Sequence, residues 1–165
     1  MGKIQYILGT ILTSVTVLAL GMLAIPGVTF TQVTGSVAAS VNVPLYCGIT
    51  LSPTSISFGS VSPGSNVPTN VLVTDTNSAG NTQANVLIDG TAWTSSSSSF
   101  GVGNTEWDTT SQTTYTGTAL TSSLASTGET LSASAGSNTL YFGLAVPASQ
   151  AAGVYSQTIT IENSC

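Results

Sequence analysis

The chain has 165 residues, room for one domain and a targeting segment, yet only 4% of them are charged, against about 25% in an ordinary soluble domain. Its one cation is Lys3 and it has no histidine, so nothing downstream can neutralise a nucleic-acid backbone or an anionic membrane surface. The same absence leaves the many serines and threonines without a base to activate them, which excludes nucleic acid as a partner and argues against an enzyme. Hydrophobic residues make up 41% and alternate in clean runs, so the body of the chain is expected to fold.

Residues 4–25 carry no charge and are mostly apolar; as a helix they would span roughly 33 Å, enough to cross a bilayer core. Lys3 precedes them, a weak positive-inside cue. The stretch therefore predicts an exported protein that meets the membrane at least during export. A signal peptide would be cut after Gly21, with Ala19 and Gly21 as the small residues of the site. The alternatives are a retained anchor, a hydrophobic tail packed inside an assembly, or a buried soluble helix. Pro26 and Gly27 end this segment, and residues 1–27 form the first unit of the chain.

Residues 28–46 follow as an extended strand or linker. Val33, Gly35, Val37, Ala39, Val41 and Val43 alternate with Thr34, Ser36, Ala38, Ser40 and Asn42, the period of a strand with one apolar face. Two readings stand: a first strand of the local fold, or a segment that pairs with a neighbouring subunit. Strand addition relies on main-chain bonds, and residues 28–43 hold no charge or proline to block an edge. Val33, Val37, Val41 and Val43 are its candidate interface residues.

Residues 47–165 read as an all-β domain. Short strands are expected over residues 47–51, 55–58, 67–74, 83–89, 100–108 and 119–125, with turns at Ser62-Pro63-Gly64-Ser65 and at residues 76–81. The five serines 95–99 have no apolar face and read as a loop, and 126–137 is a small-residue loop or an edge strand. Trp93 is expected to plug one end of the core. In residues 138–165, Leu140, Phe142, Leu144 and Val146 recur at period two, as do Tyr155, Gln157, Ile159 and Ile161. They predict two long antiparallel strands separated by a turn over residues 147–153. Roughly eight to ten short strands at this spacing are the signature of a sandwich or barrel.

Cys47 and Cys165 are the only cysteines. In an oxidising compartment they allow one internal bridge, with intermolecular pairing or free thiols as alternatives. The bridge would close a loop of about 117 residues, for which the chain-entropy model gives roughly 4–5 kcal/mol. Two thiols without histidine leave a zinc shell unfilled, and no cofactor is implied. Glu106 and Asp108 sit two apart on an expected strand, so both leave one face and Trp107 leaves the other. Two solvated carboxylates, a calcium site helped by Asp75 or Asn77, and a glycosidase-like pair are the readings in descending order. Trp93, Trp107 and Tyr115 serve as core or interface residues, or alternatively as a sugar-stacking platform. No Asn-x-Ser/Thr sequon is present, and hydroxyl glycosylation of 95–99 is not readable from the residues.

Three runs carry a resemblance: residues 49–65 (ITLSPTSISFGSVSPGS), the hairpin pattern 71–93 with its turn at 77–81, and residues 146–161 from Val146-Pro147 through Gly153-Val154-Tyr155 to Ile161. They resemble secreted immunoglobulin-like surface domains of archaea and bacteria, and with the N-terminal strand the chain is similar to subunits of archaeal thread and bundling filaments. The resemblance implies an immunoglobulin-like Greek-key sandwich preceded by a hydrophobic helix. It also implies an N-terminal strand, here residues 28–43, that completes the sandwich of the next subunit. The function expected is a non-enzymatic, self-associating protein of the cell surface or extracellular space, in a filament or coat. A membrane-anchored monomeric adhesion module contacting its target through loop aromatics such as Trp107 is the alternative, and a hydrolase using Glu106 and Asp108 a third.

Overall fold

Most of the β-branched, alternating runs of this chain fold as strands in the computed structural model, which describes residues 35–165. The expectations for residues 1–27, the membrane segment 4–25 and Val33 lie outside the described residues. Among those described there is no helix long and apolar enough to cross a membrane. The chain divides at Val41/Asn42, and the folded body is Asn42–Cys165.

Ten strands form: β1 (Thr50–Ser52), β2 (Asn66–Thr76), β3 (Ala84–Gly90), β4 (Trp93–Thr94), β5 (Ser99–Phe100), β6 (Thr105–Asp108), β7 (Thr118–Ala119), β8 (Ala125–Leu131), β9 (Ser137–Ala145) and β10 (Ile159–Ser164). Among the described residues the only helical piece is a 3-10 turn at Val102–Asn104. A five-stranded sheet has the order β1-β2-β9-β6-β7, a three-stranded sheet the order β10-β3-β8, and β4 and β5 form a small hairpin. All pairings are antiparallel.

The two larger sheets share one core. Val73, Trp107, Leu140 and Phe142 come from the five-stranded sheet, and Ala84, Val86, Ile88, Leu131 and Ile161 from the three-stranded one. The alternation that predicted β9 places Leu140, Phe142 and Leu144 inside, and Phe142 is fully buried; burying one such ring contributes roughly 1.5–3 kcal/mol. Gly143 lies on the opposite face, where a Cβ would collide with Thr69. There β2 parts from β9 between Val67 and Val71. Pro68 has no N–H to give the ladder, and Thr69 instead bonds the backbone of Thr114 and Gln112. The loop after β6 is thereby fixed to the sheet.

Three sequence expectations are corrected and one open alternative is settled. The two long strands of residues 138–165 are not neighbours: β9 is central in one sheet, while β10 pairs with β3 in the other. Period two fixes which face a strand buries but not its partner. Residues 154–158 do not extend β10 and their one β-bridge is Ser156–Thr94, because Tyr155 turns to an aromatic cluster and Gln157 to Thr105. Residues 55–58 form no strand, although Ile56 and Phe58 pack on the core. The 126–137 stretch resolves largely as edge strand β8.

Cys47 and Cys165 are joined, with Cα atoms 6.0 Å apart at a sequence separation of 118. The bridge ties the segment before β1 to the end of β10.

Candidate strand-acceptor edge

A sheet edge is a row of unpaired N–H and C=O groups, and most edges of this fold are blunted. Strand β1 has three residues and β7 two. Strand β8 is longer but irregular: its register with β3 shifts between Asn85 and Leu87, and Gly128 in the shifted stretch has φ +79. A bulge of this kind, with Glu129 beside it, twists an edge away from further pairing. Strand β10 pairs with β3 without interruption from Ile159↔Gly90 to Ser164↔Asn85, and its other side carries no strand.

The free groups on β10 follow from the ladder. Thr158 accepts from Thr91 N at 2.9 Å and donates its own N–H to Thr91 Oγ1 at 3.1 Å, so its backbone faces β3. In an antiparallel pair such groups alternate. Thr160 and Glu162 therefore also face β3, while the N–H and C=O of Gln157, Ile159 and Ile161 face the open side.

That side is a groove. Near Cys165 it is lined by Leu51, Ile56, Val73, Phe142, Ile159 and Ile161, in a cavity of about 400 Å³. It continues, through the shared residues Ile56, Phe58, Trp93 and Tyr155, into a second cavity of about 630 Å³ that reaches Pro63, Val146 and Val154. Buried core residues such as Phe142 thus line an opening to solvent. Beyond Ile161 the Cys47–Gly48 segment lies against β10, joined by the disulfide and by Asn163 Nδ2 donating to Gly48 O at 2.9 Å. At the middle, Trp93 stacks on Phe100 with ring centres 5.7 Å apart, while Phe58 and Tyr155 flank the pair. Trp93 Nε1 donates to Thr105 Oγ1, which donates to Gln157 Oε1, each at 2.8 Å. Gln157 Nε2 then donates to Thr91 O at 2.7 Å. This relay fixes Gln157, the first residue of the open edge, from both sheets.

Of the residues expected to pair with a neighbour, those described are exposed, and residues 35–43 form no first strand of the local fold. Val37 is 96% exposed, Val41 is 87% exposed, and Val43 is exposed as well. Residues 35–46 belong to no described strand. Where the segment enters the body it is held by Asn81, which accepts from Tyr46 N at 2.8 Å, donates Nδ2 to Pro44 O at 2.9 Å, and donates its backbone N–H to Tyr46 O.

The acidic pair is used locally. Glu106 Oε2 accepts from Gly117 N at 2.8 Å. Asp108 accepts from Thr110 N and Oγ1 and from Gln112 Nε2, and the Thr110 N–H chiefly holds its carboxyl below the usual range. Trp107 between them is buried in the core, as their parity predicts. Asp75 and Asn77 do not join this pair. Both are fully buried: Asn77 is occupied by Gly48 N, Thr82 O and Ser132 O, and Asp75 by Asn163. No group of three metal-ligating side chains occurs among the described residues.

The three aromatics offered as a platform serve three places. Trp107 fills the core, Trp93 lies in the groove, and Tyr115 donates to Asn104 O at 3.0 Å. Burial, with the Glu106 charge adding to it, pushes the Tyr115 hydroxyl up to about 12, so it stays a donor. Sequence reasoning missed Asn81, Thr105, Gln157 and Asn163. Their partners lie 12 to 115 positions away, and only the turn-forming context of Asn81 gave any local signal.

Neither a family model nor a curated protein matches the sequence.

Proposed function

We propose that this protein is an exported, non-enzymatic structural subunit that assembles with copies of itself by strand exchange, as a filament or coat outside the cell. In this reading the body is an immunoglobulin-like Greek-key sandwich lacking one strand, and residues 28–43 of a neighbour supply it. The observation that carries the proposal is the pairing of two unmet needs. An unpaired edge at Ile159–Ile161, with Gln157 just before it, opens over a groove that core residues line, and the apolar, uncharged segment around Val37–Val43 is exposed. An added strand bonds the edge through its main chain and seats alternate side chains in the groove. The disulfide fits an oxidising external medium.

The adhesion alternative loses its named contact, since Trp107 is inside the core. The test is deletion of residues 28–43, with native and shortened proteins compared by electron microscopy and light scattering. Polymers from the native chain and monomers from the shortened one support the proposal. A native chain that stays monomeric, or a shortened chain that still polymerises, overturns it.

A further inference from the structure

The two ends of the body differ in a way that fixes how copies would join. At the Cys165 end, Asn81 holds Pro44–Tyr46 and so sets where the N-terminal segment leaves. Leu45, Tyr46 and Ile49 lie exposed there. At the other end the groove opens between residues 59–63 and 151–154, a mouth lined by Val61, Pro63, Ala151, Ala152 and Val154. Val154 at this mouth is 92% exposed. Behind the mouth the β2–β9 ladder runs on, with Gly64 N donating to Val146 O.

We infer that copies stack end to end, with the Leu45–Tyr46–Ile49 surface of one body seated on the Val154 mouth of the next and the exchanged strand running antiparallel to β10. This rests on the strand-exchange reading and adds its direction and its second contact. The direction follows from access. At the groove's Cys165 end the Cys47–Gly48 segment is fastened against β10 by the disulfide and the Asn163–Gly48 bond, so a strand arriving from that side would have to displace it. A segment from a neighbour therefore enters at the Val154 mouth with Val43 first and Val37 deeper. Read from N to C, that strand points toward the mouth, whereas β10 runs from the mouth toward Cys165. Seven residues, 37–43, extend roughly 23 Å, more than the five-residue open edge 157–161 requires. Val43 then sits at the mouth and Tyr46 just outside it, which brings the neighbour's exposed Leu45 and Tyr46 onto Val154. The contact joins unlike ends, so it repeats without closing and yields a linear polymer.

The test places a photoreactive benzoyl-phenylalanine at position 46, or separately at 37, in the full chain, and maps the cross-linked peptides in assembled material by mass spectrometry. Position 46 should link to residues 147–154 of another copy, and position 37 should link near Leu51 and Ile161. A complementary variant, Val154→Asp, alters a side chain that the monomer leaves in water, and should weaken association about tenfold or more by stranding a charge in the contact. Polymers in which position 37 links near Tyr155 and Val154, or position 46 links to another copy's residues 44–50, overturn the inference and leave strand exchange standing. Polymers unaffected by Val154→Asp also overturn it. If the full chain forms no polymer, the strand-exchange reading and this inference fall together.

Discussion

Asp75 is the one carboxylate among the described residues that the fold takes fully out of water. Desolvation pushes its carboxyl above the ordinary value of 3.8, against smaller opposing effects of the Asn163 side chain and the Thr76 backbone. Asn163 Nδ2 donates to Asp75 Oδ1 at 3.1 Å, while Asp75 Oδ2 and Asn163 Oδ1 have no donor. A proton on Asp75 would make Oδ2 a donor in that amide pair. Because the folded carboxyl holds its proton more tightly than the unfolded one, its effect runs opposite to that of a salt-bridged aspartate. Stability is highest below the ordinary carboxylate value and declines as pH rises through the raised one. The Asp108 carboxyl, shifted downward, acts only below the ordinary range, so the two windows do not overlap. Urea unfolding from neutral to mildly acid pH should therefore show the native chain gaining stability on acidification. Asp75→Asn should be more stable than the native chain at neutral pH, with a flatter profile. A native chain that loses stability across that interval would contradict this account. Nothing in the sequence around Asp75 announced any of this. Parity placed Val73 inward, and Asp75 follows by the same period of two, but its partner Asn163 lies 88 positions away.

At the scale of elements, what the sequence made legible was the face each strand buries. Strands β2, β3 and β9 appear within a few residues of their expected bounds, because alternation of β-branched and polar residues is a local signal. Partners and edges were not legible. The choice of β3 for β10, the bulge in β8 and the free backbone groups of Ile159 and Ile161 depend on contacts distant in sequence. The serine-rich stretch 95–99 was expected as a loop and contributes its end to the β4–β5 hairpin, a pairing that runs through the backbone and leaves no mark in side-chain pattern. The groove consequently had no signature of its own, although the strand expected to fill it did. The disulfide belongs to this scale, because it fastens the tip of β10 to the segment before β1. Its 118-position span gives a chain-entropy contribution of about 4–5 kcal/mol as an upper figure. A Cys47→Ser, Cys165→Ser double variant should unfold at markedly lower denaturant and with a steeper slope, because the released unfolded chain exposes more surface. A loss below about 1 kcal/mol would mean that the bridge acts on the native state's edge and scarcely on the unfolded chain.

For the molecule as a whole, the scarcity of charge sets what its cohesion can depend on. With Lys3 the only cation in the sequence, the body has no side-chain ion pair to screen. Its acids are few, and two of them, Glu106 and Asp108, serve as local acceptors. Contacts between copies along β10 would be main-chain bonds and apolar burial for the same reason. Salt acts on such a protein mainly by weakening mutual repulsion among its carboxylates and, at high concentration, by strengthening apolar association. Both effects favour the assembled state. The fraction of protein in polymer, measured by sedimentation, should therefore stay constant or rise as sodium chloride is increased from low to molar concentration. Guanidinium, which solvates backbone and apolar groups alike, should dissociate the same polymers. Polymers that fall apart in molar sodium chloride would require attractive charge pairs between copies, and downstream of Lys3 the sequence has no lysine, arginine or histidine from which to make them.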